Sequence, residues 1–431
     1  MRESFYERIG ESCQREKLAN GLSVCVVPKP GYRRKYAFFA ARYGGMDVRF
    51  RLDGQWRDTP AGIAHYLEHK MFDTKDGSAM QDLAKNGAEP NAFTASAMTG
   101  YYFDCTEHFE ENLKILLRFV STPYFTQESV EKERGIIGQE IRMVEDNPDW
   151  QIYQQLLQAL YARHSCRVPI AGTVESIADI TPQTLYDCHK AFYTPGNMVL
   201  TVVGDVRPER VFEAAERILP RESGPEIERD YGREPEAVCR RESVRRMEVS
   251  APQFLLGFKC PAPERGESGY RTELLGDLAW DILLGESSPL YQRLYEDGTI
   301  NGSFGGAFDT LPGAACLYAG GDCKEPGKVA EAILRETERL DREGIDPDYW
   351  QRMRRAAFGS TLRGLNSFEN IAVGLAEGYF QGYDAFDFPR IYESIRQEDI
   401  LTFLRENVRE ERMALSRILP GEQQGKEGNN A

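Results

Sequence analysis

The sequence predicts an α+β protein made of two homologous half-domains, each an antiparallel-rich mixed sheet packed with helices. Three observations carry that prediction. The chain has 431 residues, more than one hydrophobic core usually serves. A stretch rich in charge, Pro and Gly, LPRESGPEIERDYGREPEAV (219–238), divides it near the middle and reads as a solvated linker. The strand and helix patterns follow the same order on either side of that break. The resulting division is 1–222 for the first half, 223–238 for the linker, 239–421 for the second half and 422–431 for a polar tail expected to be disordered.

In the first half, SVCVVPK (23–29) and YAFFAARYGG (36–45) read as strands. Residues 61–72 and 79–86 read as helices, NAFTASAMTGYYFDC (91–105) as a hairpin, and 108–121 and 127–162 as long helical patterns. A short helix at 180–193 and a closing strand at 197–206 follow. In the second half, QFLLGFKCP (253–261) is a strand, 270–285 and 288–298 are helical, 302–323 is a hairpin, and 328–344, 347–377 and 395–407 are helical before a last strand at 412–420. The irregular alternation excludes a clean parallel βαβ series.

Composition narrows the class. No run approaches 18 consecutive apolar residues, so no membrane-spanning helix is expected. The formal net charge of −15 makes the chain a poor binder of nucleic acid or anionic membranes. The N-terminal MRESFYERIGESCQREK has no apolar core of a secretory signal. Nine scattered cysteines without a CxxC argue for a reducing cytoplasm and against a disulfide framework or a cysteine zinc site.

Histidine is scarce, at five in the chain, yet two lie four residues apart in RDTPAGIAHYLEHKMF (57–72). Thr59 is expected to cap the helix and Pro60 to take its first position. At about 100° per residue His69 lies about 40° from His65, one turn along, with Glu68 beside both. Two imidazoles at i and i+4 can share one Zn²⁺, and a neighbouring carboxylate can take a proton from a metal-activated water. With five His and 68 acidic residues, chance supplies fewer than about 0.01 matches to H-x-x-E-H. The bland alternative is two histidines and a salt-bridging Glu.

A catalytic zinc usually takes three protein ligands. In ESVEKERGIIGQEIRMVEDNPDW (128–150), Glu133, Ile136, Ile137, Glu140 and Val144 share one helical face. Glu140 is expected as the third ligand and Glu133 as the carboxylate that orients an imidazole, although spacing does not choose between them. The competing reading pairs both with Arg134 or Arg142.

These residues resemble the inverzincin metallopeptidases: pitrilysin, insulin-degrading enzyme and the mitochondrial processing peptidases. The resemblance rests on HYLEH (65–69), NAFTA (91–95), EKERGIIGQEIRM (131–143) and AGTVESIADIT (171–181), with the duplicated layout of half a clamshell. Within the family the chain is similar to a short bacterial branch associated with aminopentanol modification of elongation factor P. The resemblance implies a zinc endopeptidase in which His65, His69 and Glu140 bind Zn²⁺ and Glu68 is the general base. Glu133 would support the site, and Asn91, Ala92 and Phe93 would lie on the strand that pairs with an extended peptide. Family members commonly carry an Arg and a Tyr seven residues apart in the C-terminal half, which hold substrate and oxyanion. Here those positions, in LYQRLYEDGTINGSF (290–304), are Tyr295 and Gly302, with Arg293 out of register. That departure implies a partner chain, a paralogue lacking HxxEH or a second copy. Some family members are non-proteolytic peptide-binding subunits, usually without the HxxEH residues.

Overall fold

The computed structural model describes residues 2–421; the tail reading for 422–431 lies outside them. In chain order the first half runs β1 (Arg2–Tyr6), β2 (Glu11–Lys17), β3 (Ser23–Pro28), β4 (Lys35–Ala41), β5 (Arg49–Leu52), β6 (Gln55–Asp58), α1 (Ile63–Met71), β7 (Asp73–Thr74), β8 (Gly77–Ser78), α2 (Ala79–Lys85), β9 (Ala88–Thr94), β10 (Thr99–Cys105), α3 (Phe109–Ser121), α4 (Gln127–Glu145), α5 (Pro148–Leu160), α6 (Val174–Ala178), α7 (Pro182–Phe192), β11 (Met198–Gly204) and α8 (Pro208–Ile218). The remainder runs β12 (Glu228–Arg229), β13 (Glu242–Met247), β14 (Gln253–Cys260), α9 (Glu267–Leu284), α10 (Pro289–Glu296), β15 (Gly305–Leu311), β16 (Ala314–Asp322), α11 (Pro326–Glu343), α12 (Pro347–Gly364), α13 (Phe368–Gln381), α14 (Phe388–Ser394), α15 (Gln397–Asn407) and β17 (Met413–Pro420).

The duplication is written into the sheets. The first sheet has the order β1-β2-β3-β11-β4-β10-β9 and the second β13-β17-β14-β16-β15. Both contain one parallel pair, β3 with β11 and β13 with β17, followed by antiparallel neighbours out to an edge strand. The first sheet adds a hairpin, β1–β2, built from the charged N-terminal segment. Sequence periodicity missed it because most of its side chains stay in contact with water.

Central strands carry near-continuous apolar runs because both of their faces are covered: every residue of β11 is buried. One face of the first sheet meets α1, α3 and α7 in a core that includes Tyr66, Leu67, Leu116 and Phe192. The other face is covered by α13, a helix of the second half, through Phe368, Ile371, Leu375 and Phe380. In return α5, from the first half, packs Leu156, Leu157 and Leu160 on the second sheet. Gly257 on β14 permits that approach, since a Cβ there would lie 2.9 Å from Leu156. Each large side chain buried in these exchanges is worth about 1.5–3 kcal/mol.

Several expectations are corrected. The single helical pattern over 127–162 is two helices, because Asn147 caps α5 with its side chain and Pro148 takes the first position. Thr59 and Pro60 do not start α1. The Thr59 N–H and hydroxyl both donate to Val48 O, at 2.8 and 3.1 Å, which keeps that residue with the β5–β6 ribbon. Cys13 and Cys25, diagonal neighbours on β2 and β3, form a disulfide, while seven cysteines are free. Segment 223–238 is mostly exposed yet tied down: Ile227 is buried, Glu228–Arg229 pair with β5, and Glu234 accepts from three backbone N–H groups and Lys259.

Candidate metal centre and active site

Helix α1 begins after Gly62, whose φ of 91° lies in the left-handed region and whose missing Cβ would sit 2.4 Å from Ala171 O. Ser176 Oγ donates to Ala61 O at 2.8 Å from the turn of α6. The 171–181 segment therefore braces the entry of α1, and this braced start sets the rotation of the three polar residues that follow.

His65 and His69 stand one turn apart with ring centroids 4.6 Å from each other. Both Nε2 atoms approach Glu140 on α4, His65 to Oε1 and His69 to Oε2, each at 3.5 Å. One ligand atom from each of the three residues lies within 4.8 Å of the others, the one such grouping of three or more His, Cys, Asp or Glu among the described residues. Two imidazoles and one carboxylate are the donor set a catalytic zinc takes. His69 fits a further requirement. Its Nδ1 lies 3.0 Å from Glu133 Oε1, which fixes the tautomer and leaves Nε2 free for a metal.

Glu68 is 8% exposed and accepts a hydrogen bond from Thr94 Oγ1 at 2.7 Å. Burial pushes its carboxyl above the usual range, opposed by the Thr94 bond and the two imidazoles. Glu133 is held low, first by its bond with His69, and Glu140 likewise by His65. Burial works against a charged His69, but the Glu133 bond and the neighbouring carboxylates outweigh it and raise the imidazole. The arrangement sets two carboxylates held low by facing imidazoles beside a third that burial raises.

The arginine alternative fails for Arg134, which donates to Ile180 O at 3.1 Å. The α4 stripe is also rotated from its expected position. Val130, Ile137, Gly138 and Ile141 are buried, whereas Ile136 is 49% exposed. Glu133 and Glu140 thus lie at the border of the packed face.

Among the expected peptide-strand residues, Asn91, Ala92 and Phe93 all lie on β9, the edge strand of its sheet. Alternation separates them. Ala92 packs toward the core beneath α1, on the face where Thr94 meets Glu68, while Phe93 packs on the opposite face against Phe38. Thr94 had no assigned role in the sequence reading, although it belongs to the NAFTA segment. Its spacing of two from Ala92 was the available signal. In the second half Tyr295 is exposed on α10 and stacks on Tyr291. Gly302 has open space where a Cβ would stand. Arg293 is bonded to Glu336 at 2.6 Å and does not replace the missing arginine.

Residues 54–174 match the insulinase (peptidase family M16) model, and residues 179–357 match the peptidase M16 inactive domain. A Bacillus subtilis protein named as an uncharacterized zinc protease, YmfH, is 40% identical over 96% of this chain and 98% of its own length. The chain belongs to the peptidase M16 family. A second Bacillus subtilis protein named as a zinc protease, YmxG, is 26% identical over 73% of this chain and 77% of its own length. Among solved M16 folds, an M16-like peptidase from Alicyclobacillus acidocaldarius shares 33% identity with a TM-score of 0.91, over 95% of this chain and 99% of that one. A protease from Helicobacter pylori, at 20% identity and a TM-score of 0.80 over 95% of this chain and 99% of that one, shares the fold. The insulinase match lies wholly within the first half and contains all the candidate metal ligands, whereas the inactive-domain match begins in the first half and runs into the second. No helix among the described residues is long and apolar enough to cross a membrane.

Proposed function

We propose that this chain is a zinc-dependent endopeptidase that cleaves peptides or unfolded segments with the help of a partner subunit. The observation that carries the reading is the convergence of His65, His69 and Glu140 beside Glu68, which Thr94 holds at the end of the edge strand β9. Zinc, when bound, lowers the pKa of water and polarises the scissile carbonyl. An extended peptide adds to β9 through main-chain hydrogen bonds. Glu68 takes a proton from the attacking water and passes it to the leaving amine nitrogen. Glu133 holds the His69 ring in place throughout.

Tyr295 stands where the family carries its arginine and Gly302 where it carries its tyrosine, and a lost oxyanion donor costs about 10²–10³ in rate. A paralogue lacking HxxEH would supply those donors; a second copy would bring the same Tyr and Gly. The same absence favours the second reading, a non-proteolytic peptide-binding subunit. Seven unpaired cysteines, Cys239 exposed among them, favour a cytoplasmic setting, whereas the Cys13–Cys25 disulfide weighs against it. The deciding experiment isolates the native complex with wild-type or Glu68→Gln chain and measures zinc and peptide cleavage on the same samples. The endopeptidase reading expects equal zinc and cleavage by wild type alone. Zinc without cleavage in both supports the binding subunit, and full turnover by the variant removes Glu68 from the chemistry.

A further inference from the structure

Lys70 follows His69 directly and is 1% exposed, an unusual place for an ammonium group. Neither the metal ligands nor the proton transfer uses it. Its Nζ donates to the Asp73 carboxylate and to Ser129 O, the latter at 3.3 Å. Ser129 stands in the first turn of α4, four residues before Glu133. Side chains on a helix lean toward its N-terminus, so the Glu133 carboxylate leans back over the turn that Lys70 reaches. Glu133 in turn holds His69 Nδ1 at 3.0 Å. A second link joins the same two helices without charge: Tyr66 donates its hydroxyl to Val130 O.

We propose that Lys70 is a positioning residue of the metal centre, its buried ammonium seating the start of α4 against the end of α1 so that Glu133 meets His69. Lys70 thus acts on zinc through Glu133. This rests on the reading of His65, His69 and Glu140 as zinc ligands. The competing role is packing alone, in which the aliphatic stem fills space and the charge is incidental. Lys70→Met separates the two, because it keeps the stem and removes the ammonium, while the Tyr66 link still joins the helices.

The test is zinc affinity by chelator competition on the full metal-free chain, well below its melting temperature, for wild type, K70M, E133Q, the K70M/E133Q double variant and H69A. K70M is expected to bind zinc about 10–100-fold more weakly than wild type, and the double variant no more weakly than E133Q. Wild-type affinity in K70M overturns the proposal, as does a double variant whose loss is the product of the two single losses. Where K70M does not fold, K70Q takes its place with the same expected and contrary results. If wild type and H69A bind zinc alike, the metal-site reading itself fails, and the proposal falls with it for a separately identifiable reason.

Discussion

Thr94 opposes what burial does to Glu68. The Glu68 carboxyl is raised by desolvation and lowered by the Thr94 bond, and in the proposed mechanism it is ionised when it accepts a proton from water. Removing the hydroxyl by T94V lifts the carboxyl further. The acid limb of kcat/KM for the native complex should therefore move to higher pH, with the alkaline limb unchanged; an unmoved acid limb would show that Thr94 does not tune the base. At this scale the sequence was most legible for residues whose chemistry is rare. Five histidines in 431 residues made a pair at i, i+4 conspicuous. The choice between Glu133 and Glu140 was not legible, because both share one face of α4 and only the three-dimensional approach of α1 distinguishes them. Glu140 meets both Nε2 atoms, and Glu133 meets an Nδ1.

The elements show where local rules were overridden. Thr59-Pro60 has the composition of a helix start, yet the cap falls at Gly62 because Thr59 is already committed to Val48. The left-handed backbone at Gly62 and the close Ala171 carbonyl make that glycine a structural requirement. Gly62→Ala should cost about 1–3 kcal/mol, read as a lower melting temperature of the metal-free chain. An unchanged melting temperature would show that the start of α1 tolerates a Cβ. Strands β4 and β11 were legible as apolar runs, whereas β1 and β2 were not, lying at the sheet margin with alternation too weak to count. The exchange of α5 and α13 between sheets was invisible for another reason. Periodicity reports that a helix has an apolar face but not which sheet receives it.

At the scale of the whole molecule, that exchange makes each half depend on the other. Residues 1–222 alone would leave the face of β4 and β11 that packs on α13 uncovered. The full chain should unfold in one cooperative transition, and the halves expressed apart should be insoluble or lack fixed packing; two separate transitions would contradict this. Glu234 adds a lock between the halves, accepting from Ala162, Arg163 and His164 N–H groups at 2.7–2.8 Å and from Lys259 on β14 at 2.7 Å. Burial opposes its charge, but those four donors hold its carboxyl down at about 2. Because the folded value lies below the unfolded one, this stability is present above about pH 4.5 and is lost as pH falls toward about 2. Glu234→Gln should cost about 3–5 kcal/mol at neutral pH by leaving the buried Lys259 with only the Pro235 and Ala237 carbonyls and no counter-charge, and should flatten the acid side of the stability curve. A variant with wild-type stability at pH 7 would show the lock to be unimportant.

On the proposed function, His65, His69 and Glu140 hold one zinc ion. X-ray absorption at the zinc edge, on Glu68→Gln chain loaded with one equivalent, tests it most directly. Two imidazole nitrogens and oxygen ligands at about 2.0–2.2 Å, with no sulfur, are expected. Sulfur at about 2.3 Å, or failure of the folded chain to retain a stoichiometric ion, would contradict it.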